Sequence, residues 1–336
     1  MANKKTFIIA EMACSHDGSF AKAKKIIDAA FKSNADAIQL QIWKLEYMMD
    51  PRRSDFNTLK SIELSYNEWS KLISYTKNTY PKLKIYICFY EHQSIDFFKK
   101  LKFDGVKINT SDLTNPILLK KVSGLKKTIN LSIGASSLKE IDYAINLIKK
   151  SNKNIEINLL YGIQNFPTNI IDLKVNIYNI LTKKYSLKIG YQDHTSGGNK
   201  DLEWITALSI GNGVSVIEKH ITTSRKSTKF DYESALNKNE FYKYVNFIRF
   251  LDSLNKNFKT SNFTASEKKY RKYQKKSIVL VKGLKKGEII KMNNISFLRT
   301  SINGTSPHLY KKILNKKLLK NKKKYDLIYL SDVIKK

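Results

Sequence analysis

Two histidines, His194 and His220, each follow a short apolar run, Leu187–Tyr191 and Val214–Lys219. Imidazoles delivered by neighbouring strands can share one divalent ion. Two nitrogen ligands with no obvious third protein ligand leave positions open for water and substrate, as a catalytic metal requires. Taken singly, either histidine reads as a hydrogen-bonded loop residue; their joint placement points to a metal. Glu11 closes the apolar run Thr6–Glu11. A carboxylate there is a satisfied core acid or a general acid/base, and strand-end placement favours the second. Lys107, in Gly105–Asn109, binds a phosphate or carboxylate, forms a Schiff base, or snorkels to the surface. The same register of strand ends supplies Gln39, Gln41, Phe89, Ser132, Gln164, Asp193 beside His194, and Glu218 beside His220. His16 lies just beyond the first strand, and His92 and His308 have no partner pattern.

Such a ring needs strands that end together. The sequence predicts eight of them: Thr6–Glu11, Ala37–Gln41, Lys84–Phe89, Gly105–Asn109, Thr128–Ile133, Ile155–Tyr161, Leu187–Tyr191 and Val214–Lys219. Helical periodicity separates most of them, at Phe20–Ser33, Ser94–Leu101, Leu138–Lys149 and Leu202–Ile210, and a last helix is expected over Lys238–Leu254. Strands alternating with helices give parallel βα units. Eight units over about 250 residues fit a closed (β/α)8 TIM barrel, whose active sites lie at the C-terminal face. An open doubly wound sheet is the alternative, but no Gly-rich phosphate loop follows the first strand.

The chain has 336 residues and 42% hydrophobic content, enough for two cores. The expected domains are a barrel over 1–255, a polar Lys-rich linker over 256–276 and a small, mostly β domain over 277–336. No apolar run has the length of a membrane span, and Phe7–Ala10 is too short for a secretory leader, so a cytoplasmic protein is expected. Cys14 and Cys88 give no disulfide framework. The net charge of +32 comes overwhelmingly from lysine spread along the chain. Nucleic-acid readout favours arginine, so the charge is read as a solvated surface that concentrates anionic substrates, and not as a nucleic-acid interface.

These motifs resemble the sialic acid synthase family over nearly the whole chain. Phe7–Glu11 with Ser15–Ser19 resembles its first strand and loop, and Ala35–Ala37 with Gln41 its second strand. Lys107–Ile108 with Asn115, then Leu131–Gly134, resemble its fourth and fifth strands, and Phe166–Thr168 its aromatic-proline turn. The most specific motifs are Asp193–Thr195 and Ile217–His220, with Asp231 at the acidic position of the last loop. Lys286–Glu288, Asn294, Leu298–Arg299 and Asn303–Gly304 are similar to the antifreeze-like (SAF) domain that follows the barrel in these synthases.

The resemblance implies condensation of phosphoenolpyruvate with an N-acylated amino-sugar aldehyde, releasing phosphate and a sialic-acid-type product. By that likeness His194 and His220 hold Mn2+ or Mg2+. Glu11 contacts the sugar and moves protons, and Lys107 and Ser132 bind phosphoenolpyruvate. Gln39, Gln41, Gln164, Phe166, Gln192 and Asp231 fall at substrate-binding positions. It also implies a domain-swapped homodimer in which Arg299 reaches the partner's sugar site. The chain departs from the family pattern, which has lysine at Gln39, threonine at Phe89, asparagine at Gln164 and serine at Gln192. Loss of a cation and a hydroxyl weakens an anion site, so a degenerate paralogue that binds a sugar or another keto acid is the alternative.

Overall fold

The computed structural model describes residues 5–254 and 262–333, which fall in two compact units, Met1–Lys256 and Asn257–Lys336. In the first, eight strands pair in parallel and in chain order: β1 (Phe7–Glu11), β2 (Ala37–Ile42), β3 (Lys84–Phe89), β4 (Gly105–Ile108), β5 (Thr128–Ser132), β6 (Ile157–Tyr161), β7 (Lys188–Asp193) and β8 (Val214–Thr222). β8 pairs back onto β1, from Phe7 opposite Val216 to Glu11 opposite His220, which closes the barrel. A two-residue strand β9 (Leu236–Asn237) extends the edge beyond β8.

The strands are nearly continuous buried runs because helices cover their outer face while the lumen fills their inner one. Successive side chains alternate between those faces. Ile129 and Leu131 of β5 join the outer core with Ile141, Ala144, Ile145 and Ile148 of the helix Leu138–Ser151. That helix opens with a capping box, Ser137 with Glu140, and Tyr66–Thr79 opens with another, Ser65 with Glu68. The lumen is layered. Phe7, Ile9, Ala37, Tyr86, Leu160 and Val216 plug its lower end. Beside them Asn158 Nδ2 donates to Asn130 Oδ1 at 2.8 Å. The charged residues lie above that, at the strands' C-terminal ends. The connection from β2 to β3 is longer than the others and holds three helices, Leu45–Met48, Phe56–Lys60 and Tyr66–Thr79.

The second unit is built on the antiparallel pair β10 (Lys276–Leu280) and β11 (Ile295–Arg299), Lys276 lying opposite Arg299. Isolated bridges join further short segments, among them Val279 to Leu327 and Ile289 to Lys317. Among the described residues nine, including Ile278, Leu280, Ile313 and Ile328, form its core. The turn at Lys286–Glu288 turns on Gly287, whose φ of +89° suits a residue without Cβ. Within the stretch read as linker, Ala265–Gln274 forms a helix with a Thr264–Glu267 capping box, which outweighs the lack of apolar residues there.

Asp332 organises this small core. Its carboxylate pairs with Lys322 at 2.5 Å and Lys320 at 2.9 Å and accepts the Tyr329 N–H at 2.9 Å. Burial opposes the charge, but the two lysines and the backbone donor hold the carboxyl below its usual range. A depressed folded pKa contributes stability that is present above the unfolded carboxyl's pKa and lost as pH falls through the folded one. Asp332→Asn is expected to lower this unit's unfolding free energy by about 2 kcal/mol at pH 7 and to lose most of that difference at acid pH. Urea titration followed by NMR of this unit measures both.

Candidate active site at the C-terminal mouth of the barrel

A cavity of about 250 Å³ opens above the strand ends. Its walls include Glu11, Gln41, Lys107, Gln164, Phe166, Gln192, His194, His220 and Asp231. Gln39 and Ser132 are fully buried and do not line it, yet both belong to its hydrogen-bond network. Arg299 lies in the second unit, at the end of β11.

The network is continuous. Thr110 and Ser132 share a hydrogen bond at 2.7 Å, and Ser132 donates to Gln192 Oε1 at 2.6 Å. Gln192 Nε2 donates to Glu218 Oε1 at 2.9 Å. Lys107 Nζ then bridges the two acids, at 2.5 Å from Glu218 and 3.2 Å from Glu11. Gln39 and Gln41 both donate to Glu11 Oε1, at 2.7 and 2.8 Å. His220 Nε2 is 3.3 Å from Glu11 Oε2.

The electrostatics follow from this layout. Burial raises the Glu11 carboxyl, but the Lys107 charge and the His220 contact outweigh it and hold Glu11 well below the usual range. Glu218 is pushed up to about 7 by burial and by the Glu11 charge beside it. Burial disfavours the Lys107 cation, yet the two acids raise its pKa, so it stays charged. A protonated, doubly paired lysine is a poor Schiff-base nucleophile.

Glu11, His194 and His220 offer three ligand atoms within 4.8 Å of one another. The two imidazole centroids are 5.4 Å apart. His194 is driven down to about 3 by burial and the neighbouring His220, so it is neutral, as a metal ligand must be. Its Nδ1 lies 2.8 Å from the Ile163 carbonyl, which can only accept. That fixes the proton on Nδ1 and leaves the Nε2 lone pair for another partner. His220 Nδ1 is buried with no hydrogen-bond partner. Two imidazoles, each with a ring nitrogen not spent on a hydrogen bond, beside a carboxylate are a donor set that suits a divalent ion. Glu11 offers the third ligand atom, which sequence spacing did not reveal. Phe166 packs against both rings, tilted to His194 with centroids 4.4 Å apart and stacked on His220 at 5.9 Å.

Several sequence-based placements change. Phe89 is wholly buried against Phe98 and Phe103 in the helix layer, so its missing hydroxyl takes nothing from the cavity. Strand alternation puts Cys88 and Tyr90 on the inner face instead. Asp193 also faces outward and lies outside the cavity. His220 sits inside β8, which runs three residues past Lys219 to Thr222, and not on a loop beyond it. His16 is a core residue: its ring packs edge-on against Trp69 at 5.4 Å, and burial lowers it to about 4.

Cys14, Tyr90 and Asn109 line the cavity without a signal in the sequence that would have found them. Burial, helped by Asp231, pushes the Cys14 thiol up, which argues against a thiolate ligand or nucleophile. The Cys14 N–H donates to Asp231 Oδ2 at 2.7 Å, so Asp231 ties the loop after β8 to the loop after β1. On the opposite wall the backbone is tight. A Cβ on Gly162 would lie 2.2 Å from the Gln192 carbonyl oxygen, so only glycine lets the loop carrying Gln164 and Phe166 approach β7 this closely.

The comparisons with known proteins agree with this geometry. Residues 26–260 match the NeuB family. The chain is 30% identical to the N,N'-diacetyllegionaminic acid synthase of Campylobacter jejuni, over 97% of this chain and 99% of that protein. It is 26% identical to a pseudaminic acid synthase of the same species, over 98% of this chain and 97% of that one. Among solved structures, the N-acetylneuraminic acid (sialic acid) synthetase of Leptospira borgpetersenii is 27% identical with a TM-score of 0.73, over 80% of this chain and 92% of that one. These relatives are sugar-acid synthases. Among the described residues no helix is long and apolar enough to cross a membrane.

Proposed function

Because the chain belongs to the NeuB family, we propose that it condenses phosphoenolpyruvate with the open-chain aldehyde of an N-acylated amino sugar. The products are a nonulosonic acid and phosphate. The observation that carries this reading is the convergence of His194, His220 and Glu11 at the barrel mouth beside Lys107. Carbon 3 of the enol attacks the aldehyde carbon, a water oxygen adds to carbon 2, and phosphate leaves with cleavage of its C–O bond. His194 and His220, with Glu11, would hold Mn2+ or Mg2+, whose chemistry is to polarise the aldehyde oxygen and orient water. Lys107 binds the anion, and Ser132 and Gln192 set the floor beneath it. Glu11 contacts the sugar and passes a proton, and Gln41, Gln164 and Asp231 supply its polar contacts. Phe166 covers the imidazoles and excludes water.

A second reading has a specific motive. Gln39 stands where the resemblance calls for lysine, and its amide donates to Glu11. Lys107 is already paired with two carboxylates. A chain that binds a sugar without condensing it would have this poorer anion site. Phosphoenolpyruvate with Mn2+ is expected to raise the melting temperature, because a ligand that binds only the folded state stabilises it by RT ln(1 + [L]/Kd). No shift at millimolar phosphoenolpyruvate would favour the second reading.

The proposal extends to assembly. The segment 277–336 serves as an SAF domain, joined through 256–276 to a barrel over 1–255, in a cytoplasmic, domain-swapped homodimer. Its Arg299 then reaches the partner subunit's sugar. Arg299→Ala is expected to raise the KM for the sugar about tenfold or more and to leave phosphoenolpyruvate binding nearly unchanged. At sugar well below the raised KM, mixing Arg299→Ala with His220→Ala subunits places both lesions at one site of each mixed dimer and leaves the other intact, so the mixture gains activity over either variant alone. Mixed dimers that keep the raised sugar KM of Arg299→Ala would contradict the swap.

A further inference from the structure

Asp193 and Lys219 are both 0% exposed, yet neither lines the cavity. They are register partners, Asp193 at the end of β7 and Lys219 within β8, and each immediately precedes one of the two histidines. Their charged groups lie 3.1 Å apart on the outer, helix-facing side. Lys219 Nζ also donates to the Thr195 carbonyl at 2.7 Å. Asp193 Oδ1 accepts from Thr195 N at 2.9 Å and Thr195 Oγ1 at 2.6 Å. The backbone between them is held as well, since the His194 carbonyl accepts from Thr168 N and Ser234 Oγ, both at 2.8 Å.

A buried ion pair is a poor way to gain stability, because desolvation offsets most of the attraction and an apolar pair often does as well. It does fix direction. The β7–β8 ladder has a register irregularity between Ile189 and Gly190 and then runs in regular register from Gly190–Val216 to Asp193–Lys219, where the ion pair adds a side-chain link to the last rung. The Asp193–Lys219 link therefore ties the two strands together one residue before each imidazole.

We propose that Asp193 and Lys219 are positioning residues that set the spacing of the His194 and His220 imidazoles, and through it the affinity of the mouth for a divalent ion. This rests on the reading that those imidazoles hold the ion. It assigns Asp193 and Lys219, one charged residue from each histidine motif, a task without substrate contact. Outer partners of metal ligands typically change affinity by ten- to a hundredfold when removed.

The test uses the full chain and direct binding, with no turnover. Mn2+ affinity is measured from the free-ion electron paramagnetic resonance signal, ligand geometry from the visible spectrum of bound Co2+, and the fold from thermal melting. Four proteins are compared: the parent, His194→Ala, the double variant Asp193→Leu with Lys219→Met, and Asp193→Asn. The double variant replaces the ion pair with an apolar pair of similar volume. It is expected to melt near the parent, to bind Mn2+ about ten- to a hundredfold more weakly, and to shift the Co2+ bands. Asp193→Asn keeps the shape, removes the charge and should move the same two readouts in the same direction. If the double variant does not fold, Asp193→Asn decides. Folded variants with the parent's Mn2+ affinity and Co2+ spectrum would overturn the proposal while leaving the metal reading intact. A parent that binds no Mn2+, or a His194→Ala that binds it as the parent does, would sink the metal reading and the positioning role with it.

Discussion

His194→Ala and His220→Ala are each expected to cut sugar-acid synthesis by about three orders of magnitude or more. Lewis-acid stabilisation of a developing charge is worth several kcal/mol, and each 1.4 kcal/mol is a factor of ten. Each variant should also lose Mn2+ binding measured directly. The fold should survive, because both imidazoles point into the mouth and not into the helix-facing core. They differ in what they leave behind. His194→Ala frees only the Ile163 carbonyl, 2.8 Å from the lost Nδ1. His220→Ala takes a partner from Glu11 at 3.3 Å, so it should disturb the Glu11 carboxyl as well. Steady-state rates with and without added Mn2+, beside melting curves, check this. Full activity in either variant would show that the histidines do other work.

Lys107→Met is the second large effect, and it strikes stability as well as binding. The ammonium stands between Glu11 and Glu218, all three nearly inaccessible to water. Removing it leaves two buried acids side by side, which costs about 3–5 kcal/mol by analogy with other broken buried pairs. Without the cation, burial and mutual repulsion raise both carboxyl pKa values above their unfolded ones. A raised folded pKa gives stability that is present below the unfolded pKa and lost as pH rises through the folded one. The variant should therefore melt closer to the parent near pH 5 than at pH 8. Adding Glu218→Gln removes one acid and should recover much of the melting temperature. It should not recover phosphoenolpyruvate binding, which is expected to weaken by about a hundredfold or more once the buried cation is gone. A double variant that regains both would mean that Lys107 serves the fold and not the anion.

The barrel was legible because its strands are buried on both faces and read as continuous apolar runs between helical patterns. All eight lie where the sequence puts them, with ends that move by a few residues. The polar strand ends were legible for the same reason: Glu11, Lys107 and His220 interrupt or close runs that are otherwise apolar. What failed was the choice of face. A fully buried strand carries no inside–outside alternation in hydrophobicity, so nothing in Lys84–Phe89 announces that Cys88 faces the lumen while Phe89 packs on Phe98 and Phe103. Asp193 was read as part of the ring for the same reason, and only the ion pair with Lys219 places it outside. Glu11 as a possible third ligand depends on β8 closing onto β1, a contact between the two ends of the barrel that no local pattern encodes. The helix Ala265–Gln274 escaped because all of its residues are exposed, so it lacks the apolar stripe by which helices are recognised.

The central claim is ion-dependent condensation at this mouth. The most direct test strips the protein with a chelator, adds phosphoenolpyruvate and a panel of N-acylated hexosamines, and follows phosphate release as Mn2+ is titrated back. With one of these sugars, release should be absent from the stripped protein, should return with Mn2+, and should match the sugar acid formed mole for mole. Undiminished release after chelation would contradict the account, as would no release with any sugar from a protein that demonstrably binds both Mn2+ and phosphoenolpyruvate.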